Sequence, residues 1–145
     1  MALIEAELTH PDFGFTVTDV SGNHMKIDIP VDQGGNGKGM RPMQTVLAAL
    51  CGCSGVDVIS ILKKQRQEYS SFKILVDGER EKDKEPSLWQ KVQVQFEFTG
   101  PVDAAKAYRA AELSMNKYCS VAETLRRAGA DIKFSVVVNG EEFKA

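Results

Sequence analysis

The stretch from Val46 to Leu62 (VLAALCGCSGVDVISIL) is apolar or small almost throughout, and no other feature constrains the fold as strongly. A helix that is apolar on all sides is buried rather than laid at a surface. The segment therefore predicts a central helix that needs cover on every side. It approaches the length of a membrane span, but Asp57, two serines and two glycines interrupt it, and a span needs about 20 apolar residues. A core helix is the expectation. Cys51 and Cys53 lie in its middle, where a thiol ordinarily packs as a small hydrophobe. Gly52 and Gly55 sit around them, and each glycine costs a helix about 1 kcal/mol relative to alanine. Two in so short a stretch imply that something approaches the helix closely near Cys53.

A chain of 145 residues suits one domain, here residues 1–145, with enough length to bury a core. The net charge of −2 gives no electrostatic footprint for nucleic acid or for an anionic membrane. The basic pairs Lys63-Lys64 and Arg126-Arg127 are broken by acidic or apolar neighbours and read as solvated helix faces. The N-terminus (MALIEAELTH) lacks the pattern of a secretory signal. With three cysteines and no such signal, a reducing, cytoplasmic compartment is expected, and the odd count argues against a disulfide framework. There is no CxxC and there are two histidines, His10 and His24, so neither a metal site nor a cofactor is expected.

Three short alternating stretches open the chain: Leu3–Thr9, Phe13–Val20 and His24–Ile29. Turn residues separate them, so they read as a meander. A glycine-rich loop (DQGGNGKG, Asp32–Gly39) precedes Pro42, a residue suited to a first helical turn. The helix is expected to run from about Pro42 to Tyr69. Phe72–Glu81 and Lys91–Thr99 read as paired strands. The second alternates almost perfectly, with Val92, Val94, Phe96 and Phe98 on one face, which implies an antiparallel sheet with one face solvated. Helices over Ala104–Lys117 and Val121–Ala128 follow, the latter ending at Gly129, and Ile132–Val138 is a final strand. The order βββ-α-ββ-α-α-β is an α+β architecture.

Cys51 and Cys53 point about 200° apart on a helix and cannot bridge one another without unwinding it. One faces the core and the other a cleft, and the pattern does not say which. Asp57 follows Cys53 by one turn on the same face; it is either a partly buried acid held by a local hydrogen bond or a catalytic group. Cys119 falls at the break between two helices. Ser120 could cap the shorter one, with Glu123 completing a capping box. That would leave Cys119 near a helix N-terminus, which favours a thiolate. Cys119 is thus either a packing thiol or a partner for Cys53, and two such thiols together suggest redox chemistry.

Several motifs resemble the OsmC/Ohr superfamily of osmotically induced and organic hydroperoxide resistance proteins. They are Pro42-Met43-Gln44 followed by LAALCGCSGVDVISIL, His24 with Asp28-Ile29-Pro30 and Gly34-Gly35, GEREKDKEP, and Tyr118-Cys119-Ser120-Val121. The Pro42-to-Cys53 spacing matches the family pattern, and the likeness extends over nearly the whole chain. It is stronger toward the broad OsmC-like branch than toward Ohr.

The resemblance implies an intertwined homodimer with two central helices between curved antiparallel sheets and sites at the subunit interface. It also implies cysteine-based reduction of organic hydroperoxides, without metal, in oxidative-stress defence. Cys53 would attack and become a sulfenic acid, Cys119 would resolve it to a disulfide, and a dithiol or thioredoxin-like reductant would recycle the pair. Active Ohr-type members carry a Glu just after the proline and an Arg from the N-terminal strands. Here Met43 takes the Glu position, with Gln44 beside it, and no Arg precedes Arg41. Arg41, Arg80, Gln44 and Asp57 are therefore the candidates for activating the thiol. Met40, Met43, Leu50, Phe96 and Phe98 are the candidates for an apolar substrate site. The alternative is a non-catalytic OsmC-like stress protein that binds a small apolar ligand.

Overall fold

The computed structural model describes residues 3–145. The reading of the N-terminus as no secretory signal therefore falls partly on Met1 and Ala2, outside the described residues. The chain divides into two compact units, one running to Ala48 and one from Ala49 to Ala145.

In the first unit, β1 (Ile4–Leu8), β2 (Phe15–Asp19) and β3 (His24–Ile27) form the expected antiparallel meander. The glycine-rich loop then makes a short 3-10 turn, Val31–Gln33, and returns to pair with β3. Met40 N–H donates to the Lys26 carbonyl at 3.1 Å, and Asp28 N–H donates to the Met40 carbonyl at 3.0 Å. The buried Asp28 carboxylate pins this return. It accepts from the N–H groups of Ile29 (2.7 Å), Asn36 (3.3 Å) and Lys38 (3.2 Å). Burial penalises its charge, yet these backbone donors outweigh the penalty and hold its pKa below the ordinary value. The loop needs glycine at one place above all: a Cβ on Gly35 would lie 2.1 Å from the Ile29 carbonyl oxygen.

Helix α1 spans Pro42–Lys64. It stops short of the expected Tyr69 because the chain leaves it by a left-handed residue. Arg66 has φ +54°, Gln67 N–H donates to the Leu62 carbonyl at 2.9 Å, and Arg66 N–H donates to Lys63 at 3.1 Å. That pair of bonds is a Schellman closure. Glycine usually fills its left-handed position; an arginine there gave the sequence no stop signal.

In the second unit, β4 (Ser71–Arg80), β5 (Trp89–Thr99), β6 (Asp131–Val138) and β7 (Glu141–Glu142) form one sheet in that order. β4 and β5 pair antiparallel as expected, but β5 and β6 run parallel, so the sheet is mixed. A parallel pair needs a long crossover, here α2 (Ala104–Leu113), a π-helical turn (Ser114–Tyr118) and α3 (Ser120–Arg127). The alternation of β5 survives because one face of the sheet packs while the other stays solvated. The packed face carries Val92, Val94, Phe96, Phe98 and Val136, and α2 contributes Ala107, Ala110 and Ala111; all are buried. Phe72 stacks on Phe98 with ring centroids 4.5 Å apart. Within the second unit, α1 buries Leu50, Ser54, Val58 and Leu62, spaced four apart along one face. Gly55 lies beside that stripe, and a Cβ there would sit 3.0 Å from Ile74 Cδ1 of β4. This is the close approach that the glycines implied, and it is made by a strand. Gly52 has open space at its own Cβ position.

Candidate functional site

All three cysteines are free thiols, Cys51 and Cys53 half-buried and Cys119 buried. α1 presents Cys53, and the junction between the π-helical turn and α3 presents Cys119. The structure brings these two within range of one another: Cys53 is among the groups that raise the Cys119 pKa. Cys51 is not among them. Burial raises its pKa from the ordinary value.

The position of Cys119 differs from the expected capping box. Cys119 itself is the N-cap of α3, and its sulfur accepts from Ala122 N–H at 3.4 Å. Ser120 is already in the helix, and Glu123 pairs with Arg127 at 3.0 Å. The cap does not lower the thiol's pKa below normal. Burial dominates and, with the hydrogen bond and negative charge of Cys53, pushes Cys119 up to about 11, against the opposing backbone bonds from Ala122 and Val121. Cys119 therefore keeps its proton through neutral pH.

Asp57 lies one turn beyond Cys53. Its Oδ2 accepts the hydroxyl proton of Ser114 at 2.9 Å. Ser114 is completely buried, its hydroxyl lies 3.4 Å from the Ser54 carbonyl, and its own carbonyl accepts from Cys119 N–H at 2.8 Å. Ser114 went unread in the sequence because a lone serine in an alanine-rich helix pattern carries no distinguishing signal.

The other candidates fall elsewhere. Both Arg80 donors, Nε at 3.2 Å and Nη2 at 2.8 Å, go to the Ser87 carbonyl, and the guanidinium lies 5.9 Å over the Trp89 ring. Its charge is engaged in the connection between β4 and β5. Arg41 is exposed at the start of α1, where its N–H donates to Gln44 Oε1 at 3.0 Å. Gln44 thus ties down the beginning of the helix. Met40 is exposed and Met43 half-buried. Leu50, Phe96 and Phe98 are core side chains, each at most 1% exposed, so in this chain they offer no open wall to a ligand. The opening that reaches Cys119 is polar instead: a hollow of about 350 Å³ lined in part by Lys117, Tyr118, Ser120 and Arg127. Among the described residues, no three His, Cys, Asp or Glu side chains gather to hold a metal ion.

Comparison with known proteins matches residues 35–135 to the family model described as OsmC-like protein. Protein YhfA of Escherichia coli K12 is 41% identical over 102 residues, covering 69% of this chain and 75% of YhfA. A crystal structure of a hypothetical protein from Aquifex aeolicus VF5 superposes with a TM-score of 0.81 at 31% identity, covering 96% of both chains. An organic hydroperoxide resistance protein OsmC from Legionella pneumophila superposes with a TM-score of 0.70 at 17% identity, covering 95% of this chain and 97% of its own, a likeness of fold.

Proposed function

The chain belongs to the OsmC-like protein family, and from that premise we propose that it is a cysteine-based thiol peroxidase that reduces organic hydroperoxides in oxidative-stress defence. The observation that carries this reading is that the half-buried Cys53 is close enough to the buried Cys119 to act on its proton. Two free thiols that influence one another, one half-buried and one buried, suit an attacking and a resolving sulfur.

In the first step the Cys53 thiolate attacks an oxygen of the O–O bond. That bond breaks, the alkoxide leaves and takes from water the proton that Cys53 released on ionising, and Cys53 becomes a sulfenic acid. In the second step the Cys119 sulfur attacks the Cys53 sulfur. The sulfenic oxygen leaves as water, taking the Cys119 proton, and a disulfide forms. A dithiol or thioredoxin-like reductant then supplies two electrons and two protons to restore both thiols.

The working form we propose is a cytoplasmic homodimer. α1 has the length and composition to cross a membrane, but its buried stripe and family membership favour a core helix. Its opposite side leaves Val56 65% and Ile59 43% exposed in the single chain. A second copy would cover that apolar face at less cost than leaving it in water.

The test is consumption of cumene hydroperoxide with a dithiol reductant by the wild-type chain and by Cys53→Ser. Turnover by wild type that is lost in Cys53→Ser supports the peroxidase. No turnover by wild type leaves the non-catalytic binding protein as the reading.

A further inference from the structure

A partly buried polar chain links α1 to the segment that carries Cys119, and the steps above leave it without a task. It begins at Asp57, one turn beyond Cys53 on the same helix. Asp57 Oδ2 accepts from the Ser114 hydroxyl at 2.9 Å. The Ser114 carbonyl accepts from Cys119 N–H at 2.8 Å, the bond that closes the π-helical turn. The Cys119 sulfur then accepts from Ala122 N–H at 3.4 Å. One helix thus holds a thiol and, one turn away, the acceptor that fixes the turn carrying the second thiol.

We propose that Asp57 and Ser114 form a latch that positions Cys119 against Cys53, so that the pair closes to a disulfide without reordering its segment. Both are positioning residues: they act through the backbone of Cys119, not on the reacting atoms. Three observations support the latch. Ser114 has no exposed surface, so its hydroxyl cannot turn to water, and a buried hydroxyl without a partner is costly. A π-helical turn is an uncommon conformation that concentrates at functional sites, and this one ends where the buried cysteine begins. The cap of α3 is the cysteine sulfur itself, so the residue that ends the turn also begins α3. Holding two reactants in place makes their reaction effectively unimolecular, and the latch would supply that orientation for the sulfurs.

The inference rests on Cys53 and Cys119 being the redox pair of the proposed function, but it does not depend on the oxidant. Closing the disulfide removes two electrons and two protons from the thiols, and any two-electron oxidant that reaches them can accept these. The full chain is therefore equilibrated with reduced and oxidised glutathione, and dithiol and disulfide are counted by alkylation and mass spectrometry. Oxidised glutathione is the oxidant, and it is reduced to two thiols for each protein disulfide formed.

Ser114→Ala and Asp57→Ala are expected to lower the effective concentration of the pair about tenfold, a shift of about 30 mV toward easier reduction. Asp57→Asn keeps an acceptor oxygen for Ser114 and should stay within about twofold of wild type. The double variant Asp57→Ala/Ser114→Ala should match either single variant, because both remove the same bond. A merely structural role would lower the melting temperatures of the dithiol and disulfide forms equally and leave the effective concentration unchanged; that result overturns the latch. So does a wild-type chain that forms no Cys53–Cys119 disulfide at any glutathione ratio. If the disulfide forms and responds to the variants while no hydroperoxide is consumed, the peroxidase reading fails and the latch stands. If hydroperoxide is consumed and the variants leave the pair unmoved, the latch alone fails.

Discussion

The sulfur of Cys119 caps α3 by accepting from the Ala122 N–H at 3.4 Å. Helix caps are usually oxygen atoms of Ser, Thr, Asp or Asn. A sulfur is a weaker acceptor, and here the capping atom is also the one on which Cys53 acts. Burial nevertheless keeps this thiol protonated well above neutral pH, at about 11.

The first expectation concerns pH and stability. In the unfolded chain Cys119 loses its proton near its ordinary value of 9.0, whereas in the folded dithiol it holds on to about 11. Between these values the folded state binds the extra proton, so stability falls as pH rises through that window and is unaffected by this group below it. Urea titrations at intervals from pH 8 to 11 measure the effect as a difference between wild type and Cys119→Ser. Other titrating groups are common to both chains, so an identical pH slope would show that Cys119 is not held protonated.

The same proton bears on resolution. Oxidised with one equivalent of hydroperoxide, wild type should pass from Cys53 sulfenic acid to disulfide faster as pH rises above neutral, because the thiolate is the better nucleophile. Cys119→Ser should stop after one round, trapping a sulfenic acid that dimedone captures and that over-oxidises with more peroxide. Sustained turnover by Cys119→Ser without an added small thiol would remove Cys119 from the resolving role.

Peptide mapping after mild oxidation should find Cys53 linked to Cys119 and Cys51 reduced. Cys51 lies on the opposite side of α1 from Cys53, and it is Cys53 that meets Cys119. A dominant Cys51–Cys119 link would contradict the arrangement of α1 against the π-helical turn.

Phe96 is fully buried and pairs across β4 with Ile74, so its removal tests core against substrate site. Phe96→Ala should cost about 3–5 kcal/mol of stability, the usual penalty for deleting a buried aromatic ring. Any activity that survives should keep its KM for bulky hydroperoxides. A selective rise in KM at unchanged stability would return Phe96 to the substrate site.

Val56 tests the homodimer. Wild type should sediment as a dimer at micromolar concentration, and Val56→Asp should shift it toward monomer, because a charge would be buried without a partner. A stably folded wild-type monomer would remove the dimer from the proposal.

Much of the fold was legible because periodicity reports burial directly. The alternation from Val92 to Phe98 and the apolar run of α1 each identified an element, and Gly129 marked the end of α3 with φ +103°. What escaped depends on contacts far apart in sequence or on unusual residues in familiar roles. Arg66 took a glycine's conformation at the end of α1. The parallel pairing of β5 with β6 leaves no local trace, since a strand packed on one face alternates whichever way its neighbour runs. At the site, both cysteines could be named from the chain, and the resemblance supplied their pairing. Ser114 could not be found, because only the fold brings it to Asp57. Arg80 was a candidate for activating the thiol, and the fold gave it the Ser87 carbonyl.

The parallel pairing also bears on how the chain closes around Cys119. Cys119 lies inside the crossover between β5 and β6, so the crossover is anchored at its far end only when residues up to Val138 have been made and have docked along β5. A nascent chain that has emerged through Ser120 already contains both sulfurs but lacks the strand that closes the loop around them. The crossover that carries Cys119 is thus closed at both ends only by a pairing between segments far apart in the chain.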